Sequence, residues 1–189
     1  HEEHSHEEEH HHAHGEDMHL WLDPDNAAAM ASHIARQLSR RFPENAEAYA
    51  ANLKDMQGRL TALDAELEAL LKPVQGKPFL VFHDAYQYLE RAYGLTAVGA
   101  ITLDPSREVS ARRLKEVREK IRETGAVCVF REPQFNARLV DAAIEGLPVR
   151  SATLDPDAGL NINPGPDLYF TLMRTLATRM AQCLSGTKP

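Results

Sequence analysis

The stretch PFLVFHDAYQYLERAYGLTAVGA, residues 78–100, decides the fold. It opens with the apolar run PFLVF (78–82) and ends with a second, LTAVGA (95–100), each too short for a helix of ordinary length. The residues between, 84–93, read as a helix, and Gly94 sits just past its end, where a left-handed cap residue is needed. The same alternation continues downstream with a helix over 110–124, the cap residue Gly125, the run AVCVF (126–130), a helix over 136–145, the run PVRSATL (148–154) and a closing helix over 167–184. Strand and helix alternating in this way imply an α/β fold, a parallel four-stranded sheet flanked by helices and joined by right-handed crossovers.

Upstream the period changes. From residue 44 to 71, Leu53, Met56, Leu60, Leu63, Leu67 and Leu70 recur at steps of three and four, which is one long amphipathic helix stopped by Pro73 and Gly76. Before it, Asp23 followed by Pro24 makes a helix start, with Asp at the N-cap and Pro at the first helical position, and this helix runs to about Arg41, ahead of Pro43. The run MHLWL (18–22) reads as a short strand. Residues 1–17, HEEHSHEEEHHHAHGED, hold seven of the ten histidines among acidic residues. With almost nothing apolar to bury, such a segment is expected to be a disordered arm or loop.

Composition narrows the function classes. The 189 residues carry a net charge of -7, and their 21 Lys and Arg residues are spread over helical surfaces, which argues against nucleic acid as a partner. No stretch approaches the roughly 18 consecutive apolar residues of a membrane-spanning helix. There is no HExxH, no GxSxG and no phosphate-binding loop, so the motifs point to no enzyme. The two cysteines, Cys128 and Cys183, are either one disulfide in an oxidising compartment or two buried thiols, with composition slightly favouring the thiols.

In an open parallel sheet, ligands bind beyond the carboxy ends of the strands. His83 directly follows one strand, Glu132 follows another with one residue between, and Asp155 follows the run ending in Leu154, so all three face one edge. His19, before the first helix, is the histidine that reaches this edge from outside the sheet. Imidazole and carboxylate are natural ligands of a borderline divalent ion, and zinc takes four such groups. Singly, each residue also has a plainer role: Asp23 and Asp84 as helix N-caps, His33 as a surface residue, and Glu132 as a shaper of the turn with Pro133. The arm is less ambiguous. His1, His4, His6, His10, His11, His12 and His14 are imidazoles dense enough to bind zinc, nickel or copper with low affinity whatever the fold.

These residues together resemble the zinc-specific solute-binding proteins of cluster A-I, the ZnuA type with a TroA-like fold. The likeness rests on an ordered set: a His/Glu-rich loop leading into MHLWLDP, a helix, a long helix with ANLKDM, then VFHDAYQYLERAYGL, CVFREPQF, TLDP and a cysteine near the end of the last helix. The resemblance implies two α/β lobes joined by a long helix, with the metal in the cleft between them. Residues 18–43 would then end an amino-terminal lobe, 44–73 would be the bridging helix, and 74–189 the carboxy-terminal lobe.

It further implies His19 and His83 as zinc ligands, Asp155 as a third, and a disulfide between Cys128 and Cys183. It implies zinc capture in the periplasm and delivery to the membrane permease of an ABC importer, by a protein that is monomeric when whole. Another histidine ligand, from the amino-terminal lobe, is expected ahead of the His-rich loop and has no counterpart here. The sequence is therefore expected to begin inside a larger protein. The competing expectations are a metallochaperone or zinc store acting through the arm, and a metallohydrolase with Glu132 as general base.

Overall fold

The computed structural model describes residues 17–102, 109–157 and 162–187. The seven arm histidines, His1 to His14, lie outside the described residues. Four strands, β1 (Pro78–Val81), β2 (Thr96–Ala100), β3 (Cys128–Arg131) and β4 (Arg150–Thr153), form one parallel sheet in the order β2-β1-β3-β4. Helices α3 (Gln87–Tyr93), α4 (Ala111–Thr124) and α5 (Ala137–Ile144) follow the first three strands in turn, and α6 (Leu168–Ser185) closes the lobe. The expected α/β architecture is what the chain adopts.

The strands are apolar runs because helices cover both faces of the sheet. Phe79, Val81 and Phe130 face one layer, packed with Leu63, Leu67 and Leu71 of α2 (Ala46–Leu71) and Met173, Leu176 and Met180 of α6. Leu80, Phe82 and Val129 face the other, with Val117 and Ile121 of α4 and Val140 and Ala143 of α5. Cys128 of β3 and Cys183 of α6 are joined by a disulfide, their Cα atoms 6.1 Å apart, which closes the choice that composition left open.

Helix α2 has 26 residues, about 39 Å at 1.5 Å per residue, and its buried residues, Leu60, Leu63, Leu67 and Leu71, all lie in the carboxy-terminal half. The other half runs beside α1 (Pro24–Arg41), where Gln57 Nε2 donates to Ser32 Oγ at 3.3 Å. The start of α1 follows the sequence reading, since Asp23 accepts from the Asp25 N–H at 2.9 Å and Pro24 is the first helical residue. The outer face of α1 is apolar and uncovered, with Met30, Ile34 and Leu38 exposed at steps of four and Phe42 just beyond. No helix of the described residues is long and apolar enough to cross a membrane.

Two local expectations are corrected. MHLWL is not a strand: Leu20–Leu22 form a 3-10 turn, closed by the Leu22 N–H to the His19 carbonyl at 3.1 Å. The turn wins because its polar groups are met locally and by distant side chains. Tyr169 Oη donates to the Trp21 carbonyl at 2.8 Å, and the Trp21 indole N–H donates to the Pro156 carbonyl at 3.1 Å. Asp84 is not an N-cap either, because α3 begins only at Gln87, with Tyr86 at the cap position and no side-chain cap bond. The chain bends at His83 and Asp84 and buries Ala85 and Tyr86 completely before the helix starts.

Candidate metal centre

The strand order places a crevice where the chain turns from one side of β1 to the other. β2 lies on one side of β1 and β3 on the other, so the crossovers leaving these strands diverge and open a gap at their carboxy ends. His83 leaves the end of β1 and Glu132 the end of β3, so both stand at this switch point. Glu132 is 3% exposed, and its Oε1 lies 2.8 Å from His83 Nδ1.

His19 meets His83 there, with the two rings 5.4 Å apart between centroids and inclined by 60°. A second carboxylate holds His19, since Asp17 Oδ1 lies 2.7 Å from His19 Nδ1 and also accepts from the His19 backbone N–H at 3.0 Å. The segment carrying both is tied to the lobe by the two Trp21 bonds and by Tyr88 Oη, which donates to the Asp17 carbonyl at 3.3 Å. Aromatic rings wall the pair. Trp21 is 5.3 Å from His19, and Phe135, stacked at 4.5 Å on Phe82, meets His83 edge-on at 5.8 Å.

A carboxylate only accepts hydrogen bonds, so each Nδ1 must carry the proton. Each neutral imidazole then presents the Nε2 lone pair, and neither Nε2 has a hydrogen-bond partner among the described residues. This is the arrangement in which a carboxylate behind a histidine sets its tautomer and raises its strength as a metal ligand. Burial lowers the His83 pKa, but the bond to Glu132 and the charges of Glu132, Asp157 and Asp17 outweigh it and leave the imidazole above the ordinary histidine value.

Asp155 stands at the same edge of the sheet but is engaged elsewhere, its Oδ1 accepting from Gln134 Nε2 at 2.7 Å. Among the described residues, no group of three His, Cys, Asp or Glu side chains is gathered closely enough to hold a metal ion. The structure thus brings His19 and His83 together without adding Asp155 to them. His33 is exposed on α1, bonded to Gln37. The sequence reading missed the role of Asp17, whose one clue is its place two residues before His19, and took Glu132 for a turn residue or a base. Two imidazoles suit a borderline divalent ion, which needs further donors to complete four. Glu132, already bonded to His83 Nδ1 and buried, is badly placed to activate a water.

Comparison with known proteins agrees with this chemistry. The chain matches the family described as zinc-uptake complex component A, periplasmic, over residues 1–183. The high-affinity zinc uptake system protein ZnuA of Brucella suis is 46% identical over 169 residues, 89% of this chain and 50% of that protein. The protein of the same name from Paracoccus denitrificans is 45% identical over 173 residues, 91% of this chain and 53% of that protein. A crystal structure of a ZnuA deletion mutant with zinc bound matches with a TM-score of 0.74 at 29% identity, covering 92% of this chain and 62% of that one. The chain spans about half the length of the curated relatives it matches.

Proposed function

The chain belongs to the ZnuA family of periplasmic zinc-uptake components, and from that premise we propose that it captures zinc in the periplasm and delivers it to the membrane permease of an ABC importer. The observation that carries this reading is the His19 and His83 pair, their rings 5.4 Å apart and each with Nδ1 held by a carboxylate, which leaves Nε2 as the atom that can take a metal. No bond is made or broken in this function. Imidazole favours zinc where oxygen-rich sites suit manganese, so His83 is the residue on which the choice of metal rests.

Asp155 is the proposed third ligand, reached by exchanging its bond to Gln134 for the metal. The remaining donor would come from a further lobe, and the apolar stripe of α1 supports its presence, because Met30, Ile34, Leu38 and Phe42 form a surface suited to packing. In this reading α1 belongs with that lobe while residues 18–22 dock on the lobe described here, α2 bridges the two, and the whole protein is a monomer. The arm histidines, His1, His4, His6, His10, His11, His12 and His14, would collect zinc weakly through their density of imidazoles.

Competition between zinc and manganese tests the reading, followed by fluorescence of Trp21, the one tryptophan of the sequence, which lies 5.3 Å from the His19 ring. Zinc is expected to change the emission at concentrations where manganese does not. Equal responses to both metals would remove the zinc assignment.

A further inference from the structure

Asp155 is pinned beside the two imidazoles and held back from them at the same time. It follows β4, whose end stays paired with β3 through the Leu154 N–H and the Arg131 carbonyl at 2.8 Å. One residue further, the Pro156 carbonyl accepts from the Trp21 indole N–H at 3.1 Å, and the Trp21 ring lies 5.3 Å from that of His19. These bonds keep the segment at the crevice. The carboxylate itself is taken by Gln134, whose Nε2 donates to Asp155 Oδ1 at 2.7 Å, and among the described residues it is not gathered with His19 and His83 into a metal-holding group. Gln134 makes this bond from a fixed place. It belongs to the turn after β3 that the Phe135 N–H closes onto the Glu132 carbonyl at 3.2 Å. Glu132, buried and bonded to His83, anchors one end of the turn, and Phe135, stacked on Phe82 at 4.5 Å, anchors the other. Gln134 is exposed between them, so what it contributes is its amide and not packing.

We propose that Gln134 is a specificity-determining residue, because its hold on Asp155 opposes recruitment of that carboxylate and so weighs more heavily on manganese than on zinc. To join a metal at the imidazoles Asp155 must move, and moving gives up the Gln134 bond. An oxygen-seeking ion such as manganese gains little from two imidazoles and depends on the carboxylate. Zinc draws more of its affinity from imidazole nitrogen and depends on the carboxylate less. A tethered Asp155 therefore lowers the affinity for both ions and widens the gap between them. Gln134 does this without touching the metal, as a positioning residue for Asp155. The inference rests on the reading of His19, His83 and Asp155 as ligands.

The test is titration of the full chain with zinc and with manganese, followed by Trp21 emission, for the wild type, Gln134→Ala, Asp155→Asn and the two substitutions combined. Trp21 reports on the crevice because its ring is 5.3 Å from that of His19. Gln134→Ala is expected to raise the affinity for manganese by about fivefold, the worth of one hydrogen bond to an exposed carboxylate, and the affinity for zinc by less, so that the ratio between the two ions falls. Asp155→Asn should weaken manganese binding more than zinc binding, and in its presence the gain from Gln134→Ala should vanish. Unchanged affinities in Gln134→Ala, equal gains for both ions, or a gain that persists without the Asp155 carboxylate would overturn the proposal and leave the imidazole pair standing. A wild type whose emission answers both ions alike would remove the zinc reading, and the proposal with it.

Discussion

The imidazoles of His19 and His83, 64 residues apart in the chain (83 minus 19), lie with their ring centroids 5.4 Å from each other, each with Nδ1 within 2.8 Å of a carboxylate oxygen. That pair is built by separate devices. The strand order places His83 and Glu132 at the switch point, while Trp21, Tyr88 and Tyr169 fasten the segment of Asp17 and His19 onto the lobe.

Removing one fastener should therefore loosen His19 without unfolding the lobe. Tyr169→Phe deletes the bond to the Trp21 carbonyl and keeps the ring, at an expected cost of about 1 kcal/mol in stability. Hydrogen exchange should show the Leu22 amide opening more often while the amides of β1 and β3 stay as protected as before. Uniform loss of protection across β1 and β3 would mean that the segment is not a separable unit.

The raised pKa of His83 carries a pH dependence whose sign differs with and without metal. In the metal-free protein the fold favours the protonated imidazole despite burial, through Glu132, Asp157 and Asp17. The resulting stability is fully present below the unfolded value of about 6.5 and is lost as pH rises through the folded value. Zinc requires an unprotonated Nε2, so its stabilisation falls as pH drops through that same folded value. Melting curves from about pH 5.5 to 8, compared with His83→Gln, should show the metal-free advantage of the wild type shrinking with pH and the zinc increment growing. A zinc increment that stays flat would contradict His83 as a ligand.

The disulfide closes a separation of 55 residues between β3 and α6. Its reduction should cost about 2–4 kcal/mol, read as a lower guanidinium midpoint. The Cys128→Ala/Cys183→Ala variant should melt near the reduced wild type. Equal midpoints for oxidised and reduced protein would show that the packing of β3 on α6 suffices alone.

The stripe on α1 gives a prediction of the opposite kind. Ile34 is 54% exposed, so Ile34→Glu should change the stability of this chain by no more than about 0.5 kcal/mol. It should also abolish whatever self-association the chain shows in sedimentation at high concentration. A large drop in melting temperature would mean that the stripe already packs within this chain.

The sheet is legible in the sequence because strands buried on both faces become unbroken apolar runs, and Gly94 and Gly125, with φ of 61° and 65°, mark where the helices between them stop. The common edge of His83 and Glu132 is legible for the same reason, since parallel strands put their carboxy ends together. What MHLWL becomes is not legible, because Tyr169, 148 residues away from Trp21, decides it. Asp17 is hidden for a different reason: at the end of an arm rich in Glu, one carboxylate resembles the next until the fold brings His19 against it. The late start of α3 follows from burial of Tyr86, which no local cap residue announces.

The most direct test of zinc capture by the His19 and His83 pair is calorimetric zinc titration of the chain lacking residues 1–14, set beside the same chain with His19→Ala and His83→Ala. One zinc site should survive removal of the arm and disappear with the two alanines; a chain that loses all zinc binding with the arm, or keeps its site after both substitutions, would show that this pair does not capture zinc.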